Sequence, residues 1–440
     1  MIKAKAILWI VLLAAHTAWA ADDSLFRVTK DRTMWGNGKN SRALELLLGK
    51  GGFVFMDMAT GDIPWLVTAG MMINAPPEKV YSVITDFTKY TEYMPQLDRA
   101  EQMDPGDGLT EVTFTLGFRF AYIIPLSVTY TLKYYYRPPL RLDWVGIKEG
   151  EASHYGYWEL VPLEGGRKTA AFYSLYSTPQ WSLFKRITKK SPYLLPATIL
   201  STALIVIQKI KERVEGEHLI TTGHRDVLTE SELKGSGIEA LASNGIFLTI
   251  EEPDSQGRKF VSAGTLVNAS PGAVWETIID AEAAPIIYPE VEKVTAIGED
   301  QGGELVKFNL NINYILFSKR VSYVIRHIKE KPKRLSWTWV EGDAKDVTGS
   351  WDLIPIDGGK KTLALHRMYS DLRGSSFIAR YVLSRQPALE MAIQASTACT
   401  VVKGIRSWTE MNSEERDKAI KAKAKKKRSS DGDRPSIPGY

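Results

Sequence analysis

Histidine is the side chain that most often carries acid, base or metal chemistry near neutral pH. Beyond residue 20 the chain has five: His154, His218, His224, His327 and His366. None stands in an H-E-x-x-H pair or a Cys/His cluster, and the one cysteine is Cys399, so no metal site of familiar spacing is implied. His224-Arg225-Asp226 imitates the catalytic loop of a protein kinase. Ser231 stands where that loop needs Asn, however, and no phosphate-cradling glycine loop precedes a lysine strand. With no G-x-S-x-G elbow and no dinucleotide fingerprint either, no catalytic residue, metal or cofactor is expected. His327 and His366 differ from the rest because both fall inside strand-like patterns. Each is either a hydrogen-bonded core histidine or a polar group facing a bound ligand.

The elements that would position those two histidines occur twice. Met72 to Pro95 reads as a strand end, a proline-started helix and a second short helix; Val267 to Pro289 says nearly the same again. Asn74, Pro77, Val80, Asp86 and Pro95 stand 194 positions before Asn268, Pro271, Val274, Asp280 and Pro289. That period is the length of a domain, far beyond any solenoid repeat. Downstream, Val112, Phe114, Leu116, Phe118 and Phe120 alternate with polar residues, as do Val306, Phe308, Leu310, Ile312 and Tyr314. This is the period of a strand buried on one face. Tyr130, Leu132 and Tyr134 match Tyr323, Ile325 and His327, while Trp144, Trp158 and Tyr173 match Trp337, Trp351 and His366. Short connections make the pattern an antiparallel meander. Each copy closes with a helix, Pro196 to Val214 and Pro387 to Trp408, whose apolar stripe would lie across the sheet.

The segment from Asn74 to Pro95 resembles the opening of the START, polyketide-cyclase and coenzyme-Q-binding superfamily of helix-grip proteins. The resemblance implies an α+β fold of two tandem domains, each a curved antiparallel sheet wrapped around a long C-terminal helix. The expected layout is a signal peptide at 1–20, a lead-in at 21–41, domains at 42–216 and 236–410, a linker at 217–235, and a basic disordered tail at 411–440. A family of this kind mostly encloses hydrophobic small molecules. The inward-facing residues are then the candidate ligand contacts: Phe114, Leu116, Tyr130, Leu132, Tyr134 and Trp144 in copy one, and Phe308, Leu310, Tyr323, Ile325, His327, Trp337 and His366 in copy two. Aromatic residues at sheet spacing are equally core, and become ligand lining only where the helix stands off the sheet. Asp86 and Asp280 are expected to fix loops by accepting backbone hydrogen bonds. Copy two should be roomier, because Ala395 and Ala398 stand in for Leu204 and Ile207 on the closing helix.

The two ends carry +2 and +4, more than the whole net charge of +5. Residues 1–20 contribute two lysines around an apolar run and an Ala18-Trp19-Ala20 cleavage pattern, which predicts export, into a bacterial periplasm. Residues 411–440 hold nine Lys or Arg against five Asp or Glu, leaving the body nearly neutral. A nucleic-acid partner is therefore not expected. Lys418 to Arg428 either reaches an anionic membrane surface or is simply solvated. Ser191 to Gln208 lacks charge for 18 residues, close to the lower limit for a membrane span, but its Ser, Thr and Pro content favours a soluble helix. Three functions remain: an exported binding or transfer protein for a lipid, quinone or sterol-like molecule; an aromatase or cyclase acting on a polyketide-like substrate; and a non-catalytic scaffold with filled cores. The first, which is no enzyme, is preferred.

Overall fold

The computed structural model describes residues 32–38, 40–57, 66–104, 109–120, 124–147, 153–178, 194–216, 230–233, 235–251, 253–288, 290–300, 302–314, 317–371 and 387–432. The first half runs α1 (Ser41–Gly49), β1 (Gly52–Asp57), β2 (Val67–Ile73), α2 (Pro77–Thr85), α3 (Tyr90–Tyr93), β3 (Leu97–Met103), β4 (Thr110–Phe120), β5 (Ile124–Arg137), β6 (Arg141–Gly146), β7 (Ser153–Leu163), β8 (Lys168–Thr178) and α4 (Leu194–Glu215). After α5 (Glu230–Leu233) the second half repeats it as α6 (Ile238–Asn244), β9 (Gly245–Ile250), β10 (Val261–Val267), α7 (Pro271–Ile279), α8 (Ala284–Ile287), β11 (Val291–Asp300), β12 (Gly303–Tyr314), β13 (Phe317–Glu330), β14 (Arg334–Gly342), β15 (Val347–Ile356), β16 (Lys361–Ser370) and α9 (Pro387–Glu410). The chain is an α+β helix-grip protein in two copies.

The two sheets are joined. All sixteen strands form one antiparallel sheet, in the order β11-β12-β13-β14-β15-β16-β10-β9-β1-β2-β8-β7-β6-β5-β4-β3. The seam is β1 against β9, with Val54 opposite Leu248 and Phe55 opposite Phe247. Val54 pairs with Ala69 and Leu248 with the equivalent Ala263, so Leu248 is the counterpart of Val54 and Phe247 that of Phe53. Val54 therefore faces its own counterpart, with Phe53 opposite Thr249 and Phe55 opposite Phe247 on either side, and the seam is locally twofold about that pair. The outermost strands, β3 and β11, are interrupted by register shifts and carry charges such as Arg99, Glu101, Glu292 and Lys293, features that discourage further edge pairing.

Strands at the seam are apolar on both faces because both faces are covered. On the inner face Val54, Met56, Ala69, Leu248 and Ala263 join the closing helices α4 and α9 through Leu200, Ile207, Ala395 and Val402. On the outer face Phe53, Phe55, Phe172, Phe247 and Leu365 pack with Leu44 and Leu47 of α1 and Leu241 of α6. The lead-in is held here too. Glu159 accepts from the Met34 amide and the Thr33 hydroxyl, each at 2.6 Å, and the guanidinium of Arg141 donates to the Arg32 carbonyl at 2.6 Å.

The stripe expected on the first closing helix, from Ile199 through Ile210, is buried. Among the described residues no helix is long and apolar enough to cross a membrane. Asp280 caps backbone amides of Glu282 and Ala283, as expected, whereas Asp86 instead takes side-chain partners, Thr88 and Lys89. The expectation of a disordered tail is corrected by a helix, α10 (Ser413–Gly432). Its Ala, Lys and Glu are strong helix formers, and it is anchored by Arg416 donating to the Trp408 carbonyl and Lys423 to the Pro285 carbonyl.

Candidate ligand-binding interior

In each half the inward side chains build an aromatic wall beside the closing helix. In the first half Phe114, Leu132, Tyr134 and Trp144 are buried in one apolar cluster, with Leu116 and Tyr130 partly buried against it. Phe114 and Tyr130 rings lie 5.5 Å apart, and Phe87 of the loop after α2 reaches Tyr134 at 4.4 Å. In the second half Ile325 and Trp337 are buried and Phe308 and Tyr323 pack against them, these two rings stacked at 5.7 Å. Leu310 is half-buried.

A three-ring stack repeats across the halves. Tyr173 lies between Trp144 at 5.1 Å and Trp158 at 4.7 Å; His366 lies between Trp337 at 5.5 Å and Trp351 at 4.6 Å. Each stack depends on a glycine. A Cβ at Gly156 would stand 2.3 Å from the Trp144 indole, and one at Gly349 would stand 2.5 Å from the Trp337 indole. Gly349→Ala, whose Cβ would also stand 2.2 Å from the Arg367 carbonyl oxygen, is expected to push the Trp337 ring aside and strain the pairing of β15 with β16, costing about 1–3 kcal/mol of stability in a denaturant titration. An unchanged midpoint would show that the indole has room to move.

Burial sets the charge state of this interior. It lowers His366 to about 3 and His154 to about 4. His327 is lowered to about 4, mainly by burial, with Glu304 pulling the other way. It sits nearer the surface than His366, its Nδ1 3.9 Å from the Glu304 carboxylate. The same burial raises Tyr323 to about 12 and Tyr134 well above the usual phenol value. Because an unfolded histidine titrates near 6.5 (roughly) while folded His366 does not, the unfolded chain takes up protons first as the pH falls. His366 therefore subtracts nothing above that value and lowers stability progressively below it. In thermal melts between neutral pH and pH 4 (roughly, the span those values define), His366→Phe is expected to lose less stability than the parent chain; parallel losses would contradict this.

Several buried polar atoms have no hydrogen-bond partner among the described residues: His154 Nε2 and Tyr93 Oη in the first half, and Asn311 Oδ1, Trp339 Nε1, His366 Nδ1 and Gln394 Oε1 in the second. Sequence reading missed His154, Trp339 and Gln394 as site residues. His154 was findable, since it stands two and four residues before Gly156 and Trp158 and so shares their inward face. The expectation of extra room in the second half is corrected in its premise: Glu215 binds the Asn74 amide as Glu410 binds that of Asn268, which sets Ala398 against Ala203, Val402 against Ile207 and Cys399 against Leu204, leaving Ala395 for Leu200 as the one large-to-Ala change among these four. Ala395 and Ala398 are fully buried, and Cys399 beside them reaches Met56 of the first half, sulfur to sulfur at 3.0 Å. Among the described residues no cluster of His, Cys, Asp and Glu suits a metal ion.

A doubled helix-grip fold with an aromatic interior under each closing helix is the class that these features define. Residues 64–187 match the family described as "Polyketide cyclase / dehydrase and lipid transport", and the chain resembles the START and polyketide-cyclase superfamily. That match spans β2 to β8 and stops before α4. Among solved structures, the di-domain ARO/CYC StfQ of the steffimycin biosynthetic pathway is 10% identical, covering 80% of this chain and 99% of its own, with a TM-score of 0.27. The Zhui aromatase/cyclase from Streptomyces sp. R1128 is 17% identical over 34% of this chain and 93% of its own, with a TM-score of 0.28. A STAR-related lipid transfer protein from Xanthomonas axonopodis is 13% identical over 38% of this chain and 94% of its own, with a TM-score of 0.29. No curated protein sequence matches.

Proposed function

We propose that the protein holds a hydrophobic small molecule, of lipid, quinone or sterol type, between sheet and closing helix, and carries it without converting it. The observation that supports this reading is the set of unpartnered polar atoms inside an otherwise apolar, aromatic interior. Folded proteins pair nearly all such atoms, so a polar partner from outside the chain is the natural complement. The test is transfer of a fluorescent phospholipid between two vesicle populations, with the lipid analysed afterwards. Accelerated transfer of unaltered lipid is expected. Turnover of a polyketide-like substrate by the same preparation would favour the cyclase reading, and absence of any uptake would favour filled cores.

The N-terminal composition supports export, with cleavage after Ala20. Mass measurement of protein recovered from a bacterial periplasm is expected to show a chain starting at Ala21; an intact Met1 would contradict it. The run of lysines and arginine in the sequence from Lys418 to Arg428 supports peripheral contact with anionic lipid, each near-surface charge contributing about 1 kcal/mol. Vesicle sedimentation is expected to weaken when the chain ends at Met411, and equal binding would exclude the anchor.

A further inference from the structure

The second half differs from the first by two polar replacements that face one interior. His366 on β16 pairs with Ala263 and Trp351, as Tyr173 on β8 pairs with Ala69 and Trp158. Glu215 of α4 binds the Asn74 amide as Glu410 of α9 binds that of Asn268, so Gln394 on α9 stands where α4 has Ile199. His366 is 5% exposed and Gln394 2%. Among the described residues neither His366 Nδ1 nor Gln394 Oε1 has a partner.

Helix geometry fixes the direction of Gln394. It precedes Ala398 by four residues and Ile405 by eleven, so the three share a stripe, and both others are fully buried. Cys399, five residues on, is rotated by about 140° and faces Met56 at the seam. Gln394 therefore turns away from the seam and into the second half, whose strands β10 and β16 lie against α9.

We infer that the second half binds an uncharged amphiphile whose head carries a hydroxyl, donated to Gln394 Oε1, with the His366 ring as the second polar contact. This rests on the carrier reading above and goes beyond it by naming the head group. A carbonyl oxygen can only accept, so the ligand must bring the donor. A carboxylate would meet that oxygen with like partial charge, and any ion would be desolvated beside the two indoles that flank His366. The neutral His366 ring agrees with an uncharged partner. The first half, with Ile199 at the position of Gln394, lacks this acceptor and would not discriminate in the same way.

The test uses the full chain and two probes, a pyrene-labelled long-chain alcohol and its methyl ether, which is matched in length but has no donor. Fluorescence titration is expected to give an alcohol affinity about 10-fold above that of the ether, the loss incurred when a buried acceptor stays unpaired. Gln394→Met, close in volume, should bring the ratio near one by weakening the alcohol alone. His366→Phe, which keeps the ring stack, should reduce the ratio and provides a second route if Gln394→Met folds poorly. Equal affinities in the parent chain, or a ratio unchanged in both variants, would overturn the head-group inference while leaving the carrier reading intact. Binding of neither probe would overturn both.

Discussion

Replacing Phe247 by alanine is expected to destabilise the whole chain by about 3–5 kcal/mol, in a single transition. Phe247 is fully buried at the seam, opposite Phe55 of the other half. Its ring lies so close to Gly264 that a Cβ there would stand 2.2 Å from it. The outer cluster around it draws Leu44, Phe53 and Phe172 from one half and Leu241, Leu363 and Leu365 from the other. Truncation removes packing from both halves at once, and the surrounding strands, hydrogen-bonded on each side, cannot collapse into the gap. Denaturant unfolding followed by tryptophan fluorescence and by circular dichroism should show coincident curves, shifted together. Two separated transitions, only one of them shifted, would mean that the halves unfold independently despite the shared sheet.

The second large effect is expected from Asp143→Ala, at about 3 kcal/mol. Asp143 is 2% exposed on the outer face of β6 and accepts from both Arg137 and Arg141. Arg141 has an 11% exposed side chain, lies 4.0 Å over the Tyr157 ring and donates to the Arg32 carbonyl. Removing the carboxylate leaves a largely buried guanidinium short of its counter-charge. The Tyr157 ring and the Arg32 carbonyl offset part of that, which keeps the value at the low end for a broken buried pair. Arg137, at 43% exposure, stays solvated and adds little. Because Arg141 also straps the lead-in, the variant should be cut faster by trypsin near Arg32. A loss below about 1 kcal/mol would mean that the cluster is held by water rather than by the carboxylate.

The repeat and the strands were legible because alternation is a local property: Val112, Phe114 and Leu116 declare an inward face wherever the strand sits. The seam was not. Phe53 to Met56 and Ile246 to Leu248 are apolar without alternation, which says that both faces are covered, but backbone hydrogen bonds carry no record of which strand they join. The lead-in was unreadable for a related reason, since Glu159 holds it through backbone amides that any sequence supplies. Gln394 was hidden by averaging, as one polar residue in a helix that also carries Glu390 looks like part of a solvated face. His366 was singled out from strand phase alone, and its neighbours Trp337 and Trp351 came from the same phase; that they stack on it required the sheet's register.

The interior is expected to accept a hydrophobic molecule. Native mass spectrometry of the full chain, incubated with a total bacterial lipid extract and freed of unbound lipid, reads that directly. The expected spectrum shows a discrete added mass, released unchanged on activation and lost on organic extraction. A spectrum of the bare chain alone, at lipid concentrations where a known lipid carrier is loaded, would contradict it.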